Sequence, residues 1–229
     1  MVIDGGSYTS NGKDGCPVIY STANITVKNA EGVSTKSRAI IIEGKNSVTI
    51  ENCTLSGNDQ STKTGSVRSN IMLYQSTSGD AKEGTSTLTA TNCKLISQSG
   101  AMFYCTNTSS VINLTGTELV LSSDGGLLIV SEGRWGKDGK NGGKCTFNAK
   151  DQALEGDITV DKISALNLNL TASTLSGAIL NEGKVDLTMD AGSKWILTAN
   201  SSVSSLSGDT SGIELNGFKL LVGGQEYKG

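Results

Sequence analysis

Trp135 lies in a glycine-rich stretch, residues 131–143 (SEGRWGKDGKNGG), beside Arg134, Lys137 and Asp138. An exposed indole can stack on a sugar ring while neighbouring Arg, Lys and Asp side chains grip its hydroxyls or a carboxylate. These four residues form the candidate ligand-binding set. Trp135 has a second reading, in which it folds back over the protein's flank and holds its loop down. Trp195, in SKWIL, falls within a strand-like run and reads as packing, as do Tyr8, Tyr20, Tyr74 and Tyr104.

Other chemistries find less support. The chain has no histidine, which excludes a Ser-His-Asp triad, a Cys-His dyad and any His-ligated metal site. Five cysteines (Cys16, Cys53, Cys93, Cys105, Cys145) form no CxxC pair, and their odd number precludes complete internal pairing. Acids that project from strand-like runs are scattered (Glu43, Glu51, Glu118, Asp157, Asp161, Asp186), with no DxD or DD pair for acid–base work on a glycosidic bond. They read as solvated surface charge, and no catalytic residue is assigned. Asp59, Asp80, Glu83, Asp124 and Asp138 lie in loop stretches rich in Gly, so calcium is the one cofactor left open, although none forms a recognisable calcium loop. No other cofactor or metal is expected.

The residues that must position a site come from a returning phrase. ITVKNA starts at Ile25, VTIENCTL at Val48, LTATNCKL at Leu88, INLTGTEL at Ile112, CTFNAKDQAL at Cys145, LNLNLTASTL at Leu166 and VDLTMDAG at Val185. Recurrence at about 20 residues, with insertions lengthening some steps, marks a solenoid. Apolar residues alternate with polar ones inside each copy, the pattern of a strand with one buried face. A second apolar element precedes most copies: VIYS, AIIIEG, NIMLYQS, AMFYCTN, GLLIVSEG and GAILNEG. Two or three short strands per coil of this length make a parallel β-helix.

Several finer expectations follow. Stretches 57–69, 76–86 and 131–143 are insertions that leave the coil as loops. Asn52 and Asn92 occupy equivalent turns, where Asn tolerates unusual backbone angles and can bond to its copies. Cys53 and Cys93 come next and should stack about 4.8 Å apart, one strand spacing. A disulfide prefers Cβ atoms about 3.8 Å apart, so they read as stacked buried thiols. Counting each copy from its first apolar residue, the first outward column reads Thr26, Thr49, Thr89, Asn113, Thr146, Asn167, Asp186. The next column reads Lys28, Glu51, Thr91, Thr115, Asn148, Asn169, Thr188, and a flat Thr array, which can order water, is interrupted by Asp186 in the first and by Lys28 and Glu51 in the second.

The runs GGSYTS, AIIIEGKNSVTIENCTLSG, NIMLYQSTSGD, MFYCTNTSSVINL, DITVDKISALNLNL and GIELNGFKL together resemble right-handed parallel β-helix proteins of the pectate-lyase-like superfamily. More narrowly, they are similar to non-catalytic, adhesin-like surface modules of anaerobic microbes. The resemblance implies an extracellular or cell-surface setting and a polysaccharide, glycan or surface-protein partner. With it, the chain reads as one all-β domain over residues 1–229, a right-handed parallel β-helix of about seven or eight coils with inserted loops. Residues 200–229 are expected to cover its C-terminal end.

The function expected is adhesive or carbohydrate-binding, as a fragment of a larger surface protein with any export signal or anchor outside it. A polysaccharide-active lyase or hydrolase is one alternative, and a structural spacer or self-associating filament unit, joined end to end, is another. Net charge is −3 with no basic cluster, which argues against nucleic acid, and no apolar run reaches membrane-spanning length.

Overall fold

The recurring phrase forms a strand at every copy, and the strands stack in chain order. A computed structural model describes residues 1–228. Seven copies supply Asn24–Lys28, Ser47–Glu51, Ser86–Thr91, Ser109–Thr115, Lys144–Lys150, Ala165–Thr171 and Lys184–Met189. Val2–Asp4 and Ser205–Gly208 add one strand at each end, giving a nine-stranded sheet that is the first face of the solenoid.

After each of these strands the chain turns onto a second face. There Ser7–Asp14, Glu31–Ser37, Thr54–Asn58, Lys94–Ser99 and Glu118–Val120 form a five-stranded sheet. Ala153–Glu155, Thr174–Ser176, Lys194–Ile196 and Ile213–Glu214 form a four-stranded sheet that follows it in chain order. The third face has seven strands: Ile19–Ser21, Ile40–Glu43, Ser69–Tyr74, Ala101–Thr106, Leu128–Val130, Ile158–Val160 and Ile179–Asn181. Among the described residues there is no helix, and the molecule is a right-handed parallel β-helix, as expected.

Register explains the core. Ile25, Val48, Leu88, Ile112, Phe147, Leu168, Leu187 and Leu206 lie one above another. A second inward column runs Val27, Ile50, Ala90, Leu114, Ala149, Leu170, Met189. Phe147 meets Phe103 of the third face edge-on, with ring centroids 5.6 Å apart. Trp195 is fully buried on the second face, and its indole N–H donates to the Gly177 carbonyl at 3.0 Å. Burying one Leu, Ile or Phe side chain contributes about 1.5–3 kcal/mol, so these columns supply most of the driving force.

The outward column differs from the one drawn from sequence. It reads Thr26, Thr49, Thr89, Asn113, Asn148, Asn169, Thr188. Cys145, Leu166 and Val185 align with Ser110, not with Ile112. The last three copies start their apolar alternation one pair earlier, so counting from the first apolar residue slips the column by two. In the true column Asn169 donates to Asn148, and Asn148 to Asn113, both at 2.8 Å.

Both turn expectations appear. Asn29, Asn52 and Asn92 have φ of +51°, +52° and +52°, and the Asn52 amide donates to Asn29 Oδ1 at 3.1 Å. Asn suits this left-handed backbone because its short polar side chain bonds locally. Cys53 and Cys93 are free, buried thiols, with the Cys53 N–H 3.4 Å from Cys93 Sγ.

At the C-terminal end, Ser201–Val203 pairs with Leu220–Val222, which turns back antiparallel onto Gln225–Glu226. Gly229, the last residue of the expected end cover, lies outside the described residues.

A prediction tests the stacked core. Leu168→Ala empties a site between Phe147 and Leu187 and should cost about 2–5 kcal/mol in chemical denaturation. Thr89→Ala, on the outward side of the same sheet, should stay within about 0.5 kcal/mol. Equal losses at the two positions would contradict the register.

Candidate functional site

Three strands of the third face are apolar on both sides. Ile40–Glu43, Ser69–Tyr74 and Ala101–Thr106 are buried at every position. Their inward residues enter the main core. Their outward residues Ile41, Met72, Tyr74 and Tyr104 form a separate cluster with Val67, Ile129 and Trp135 packed against it. Val67 and Trp135 come from two insertions, so the outer side of this sheet is roofed by loops. The insertion near residues 57–69 runs into Ser69–Tyr74, the one near 76–86 runs out of it, and residues 131–143 leave Leu128–Val130.

The first insertion is fastened by a buried ion pair. Arg38 Nη2 lies 2.9 Å from Asp59 Oδ2, with side-chain exposures of 4% and 0%. Arg38 also donates to Ser69 Oγ at 3.0 Å and to the Val67 carbonyl at 2.6 Å. Asp59 accepts the backbone N–H groups of Ser61 at 2.9 Å and Ser69 at 3.2 Å. Burial works against the Arg38 charge and Asp59 supports it. Both charges are therefore paired and hydrogen-bonded, which is what buried ions require.

Arg38 precedes the strand Ile40–Glu43, and at the far end of that strand Glu43 is 1% exposed. The sequence reading as solvated surface charge is corrected here: the loops roof this part of the sheet, and two phenols reach the carboxylate. Tyr20 and Tyr74 both donate to Glu43 Oε2, Tyr74 at 3.0 Å, and the two phenol oxygens are 2.8 Å apart. Burial, then the hydrogen bond to Glu43, pushes the Tyr20 phenol up to about 12. Burial pushes Tyr74 up as well, followed by its contacts with Tyr20 and Glu43. Both phenols stay protonated at neutral pH.

Between the two insertions a cavity of about 180 Å³ remains. Tyr20, Tyr74 and Trp135 give it aromatic surface, and Asp14, Lys63 and Arg134 bring charge to its wall. Lys63 and Asp14 pair at 3.2 Å. The Trp135 ring lies 4.6 Å from the Tyr74 ring at a tilt of 52°, and the Arg134 guanidinium carbon sits 4.8 Å from the Trp135 centroid, a cation–π distance. Trp135 is half-buried rather than free, so the second of its two readings, packing over the flank, is the one seen. It holds its loop against the flank and it lines a cavity.

The candidate set divides. Arg134 and Trp135 line the cavity, whereas Lys137 and Asp138 are exposed and do not. The chain turns at Gly136, with φ of +81°, and the Lys140 N–H bonds back to the Lys137 carbonyl, so these residues form the tip of the loop. Tyr20, Tyr74 and Glu43 were not singled out as site residues. The signal for Tyr74 and Glu43 was the unbroken apolar run of NIMLYQ and AIIIE, which means a strand covered on both faces, whereas Tyr20, in VIYS, carried none.

The other acids that project from strands are engaged elsewhere. Glu51 pairs with Lys28 at 2.7 Å, Glu118 with Lys94 at 2.7 Å and Asp186 with Lys184 at 2.8 Å. Asp157 accepts the Ala178 N–H at 2.8 Å, and Asp161 accepts the Glu132 N–H at 2.6 Å. Asp124, among the acids considered for calcium, pairs with Arg68 at 2.7 Å. Among the described residues, no three of His, Cys, Asp and Glu gather as a metal-binding group.

Compared with protein-family models, curated proteins and solved structures, the chain matches none.

The ion pair yields a prediction. Arg38→Met leaves Asp59 buried without its partner, a loss of about 3–5 kcal/mol for a broken buried pair. Trypsin cleavage after Lys63 should accelerate at least about tenfold. The double change Arg38→Met with Asp59→Leu should recover most of the protection. An unchanged cleavage rate in the single variant would show that the pair does not fasten the loop.

Proposed function

We propose that this protein is a non-catalytic, extracellular carbohydrate-binding or adhesive module, related to the pectate-lyase-like β-helix proteins and part of a larger cell-surface protein. The observation that carries the reading is the aromatic cavity between two insertions, with Trp135 seated on Tyr74 at its wall. Aromatic rings offer apolar area to the C–H face of a sugar, and phenol, guanidinium and carboxylate groups offer hydrogen bonds to its hydroxyls. The volume suits one sugar ring and lies below the range of pockets for drug-sized ligands.

The support comes from rigidity as well as chemistry. The aromatic residues Tyr20 and Tyr74 sit on strands of one sheet with Glu43 on the level between them, and the roof is fastened by a buried ion pair. A site held this way loses little entropy on binding. Contact with a polymeric or surface-bound glycan would sum many weak attachments, as adhesion requires. The strand acids are dispersed, with Glu51, Glu118 and Asp186 in ion pairs, Asp157 and Asp161 in backbone bonds and Glu43 held by two phenols, which favours binding over glycosidic cleavage.

A glycan-array screen followed by titration of the best sugar tests the proposal. Trp135→Ala should weaken binding at least about tenfold, or about 1.4 kcal/mol, and Trp135→Phe, which keeps a ring against Tyr74, should weaken it less. Lys137→Ala should have no effect. Equal binding by Trp135→Ala and the parent, or release of an unsaturated or hydrolysed sugar product, would overturn the proposal.

A further inference from the structure

We infer that the Trp135 cavity is the first subsite of a longer cleft, and that the part beyond it takes neutral, hydroxyl-rich sugar units rather than uronate or sulfated ones. The inference rests on the carbohydrate-binding reading and extends it to ligand length and charge.

A second cavity, of about 570 Å³, opens at the corner where the third face turns toward the first, between the insertions near 76–86 and 131–143. It borders the first cavity along two segments. Tyr74 lines the first and Gln75 the second; Trp135 lines the first and Gly136 the second. Adjacent Cα atoms are about 3.8 Å apart, so on each segment consecutive residues face the two cavities and form the divider between them. The divider is thin at Gly136 by necessity. Its φ is +81°, and a Cβ there would lie 2.4 Å from Asn107 Oδ1. The Asn107 amide donates to the Gln75 carbonyl at 2.8 Å and its backbone N–H to the Asn141 carbonyl at 2.9 Å, so Asn107 bridges the end of Ser69–Tyr74 and the 131–143 insertion. On the far wall Thr108 Oγ1 donates to the Gly84 carbonyl at 3.0 Å and holds that insertion in place.

The two cavities differ in chemistry. The first is aromatic and carries charges of both signs. The second is lined by hydroxyls and an amide, from Ser76, Thr77, Thr85, Thr108 and Asn107, with Glu83 as its one charged residue. Among the described residues that line it there is no Lys or Arg. Hydroxyls and amides both donate and accept, so they match the alternating donors and acceptors of sugar hydroxyls. A uronate chain would instead bring carboxylates beside Glu83 with no cation in the groove, and like-charge juxtaposition disfavours that partner.

The test is calorimetric titration of the whole chain with neutral hexose oligomers of one to four units and with galacturonate oligomers of the same lengths. The neutral series should tighten at least about tenfold from one unit to three, and the galacturonate series should not tighten. Thr85→Trp and Thr77→Trp, both at exposed positions, should fill the groove and flatten the length dependence while leaving binding of the single unit and its dependence on Trp135 intact. Glu83→Lys should let galacturonate oligomers tighten with length.

A neutral series that binds through Trp135 but is indifferent to length, or to both groove-filling variants, would overturn the cleft and leave the single-sugar site standing. A galacturonate series that tightens more steeply than the neutral one in the parent would overturn the charge assignment alone. Absence of binding to every sugar would remove the carbohydrate reading together with this one.

Discussion

Each strand finds partners for its backbone N–H and C=O groups only in the level above and the level below. That one constraint organises the molecule. Buried backbone groups must be paired, and in a parallel stack the pairing fixes which residue sits over which. Because side chains alternate faces, a slip of one residue would send an entire inward column to solvent. Ile25, Val48, Leu88 and Ile112 therefore have to coincide, and so do the residues that follow them down the stack. The insertions add residues at the corners without disturbing the register. Val48 and Leu88 stay directly paired although the longest interruption in the chain lies between them.

The candidate site is a consequence of the same constraint acting on the third face. Ile41, Met72 and Tyr104 point outward from that sheet on successive levels, because they stack over one another just as the inward residues do. An apolar outward column needs a cover, and the insertions at its corners provide one. The cover is incomplete, and what it leaves is a cavity walled by aromatic rings. Its two fastenings use different physics. Arg38 and Asp59 hold one insertion through a desolvated charge pair, while Trp135 holds the other through ring packing on Tyr74.

The solenoid was legible in the sequence because its two determinants, alternation and recurrence, are both local. The copies from Ile25 to Ile112 gave the correct vertical pairs directly. The phase failed at Cys145, Leu166 and Val185, since the strands there open with an additional apolar residue where Ser110 stands in the copy before. Trp135 stood out in the sequence as a lone indole among glycines, with two readings open, and the structure shows the one in which it packs on the flank. Its partners did not stand out. Tyr20 and Tyr74 are far apart in the chain and sit in runs that look like ordinary core. Glu43 and Asp59 carry the residue types of solvated turns and strand ends, and only the roof of loops, a long-range feature, takes them out of water. Lys137 and Asp138 were chosen by proximity in sequence to Trp135, and the turn at Gly136 separates them from it.

The vertical coincidence of inward side chains can be read most directly by methyl NMR on a sample labelled at Val, Leu and Ile. The account predicts strong methyl–methyl cross-peaks between Val48 and Leu88, between Leu88 and Ile112, and between Leu168 and Leu187. Cross-peaks that instead join Leu88 to Ile50 or to residues of another face, with none to Val48 or Ile112, would contradict it.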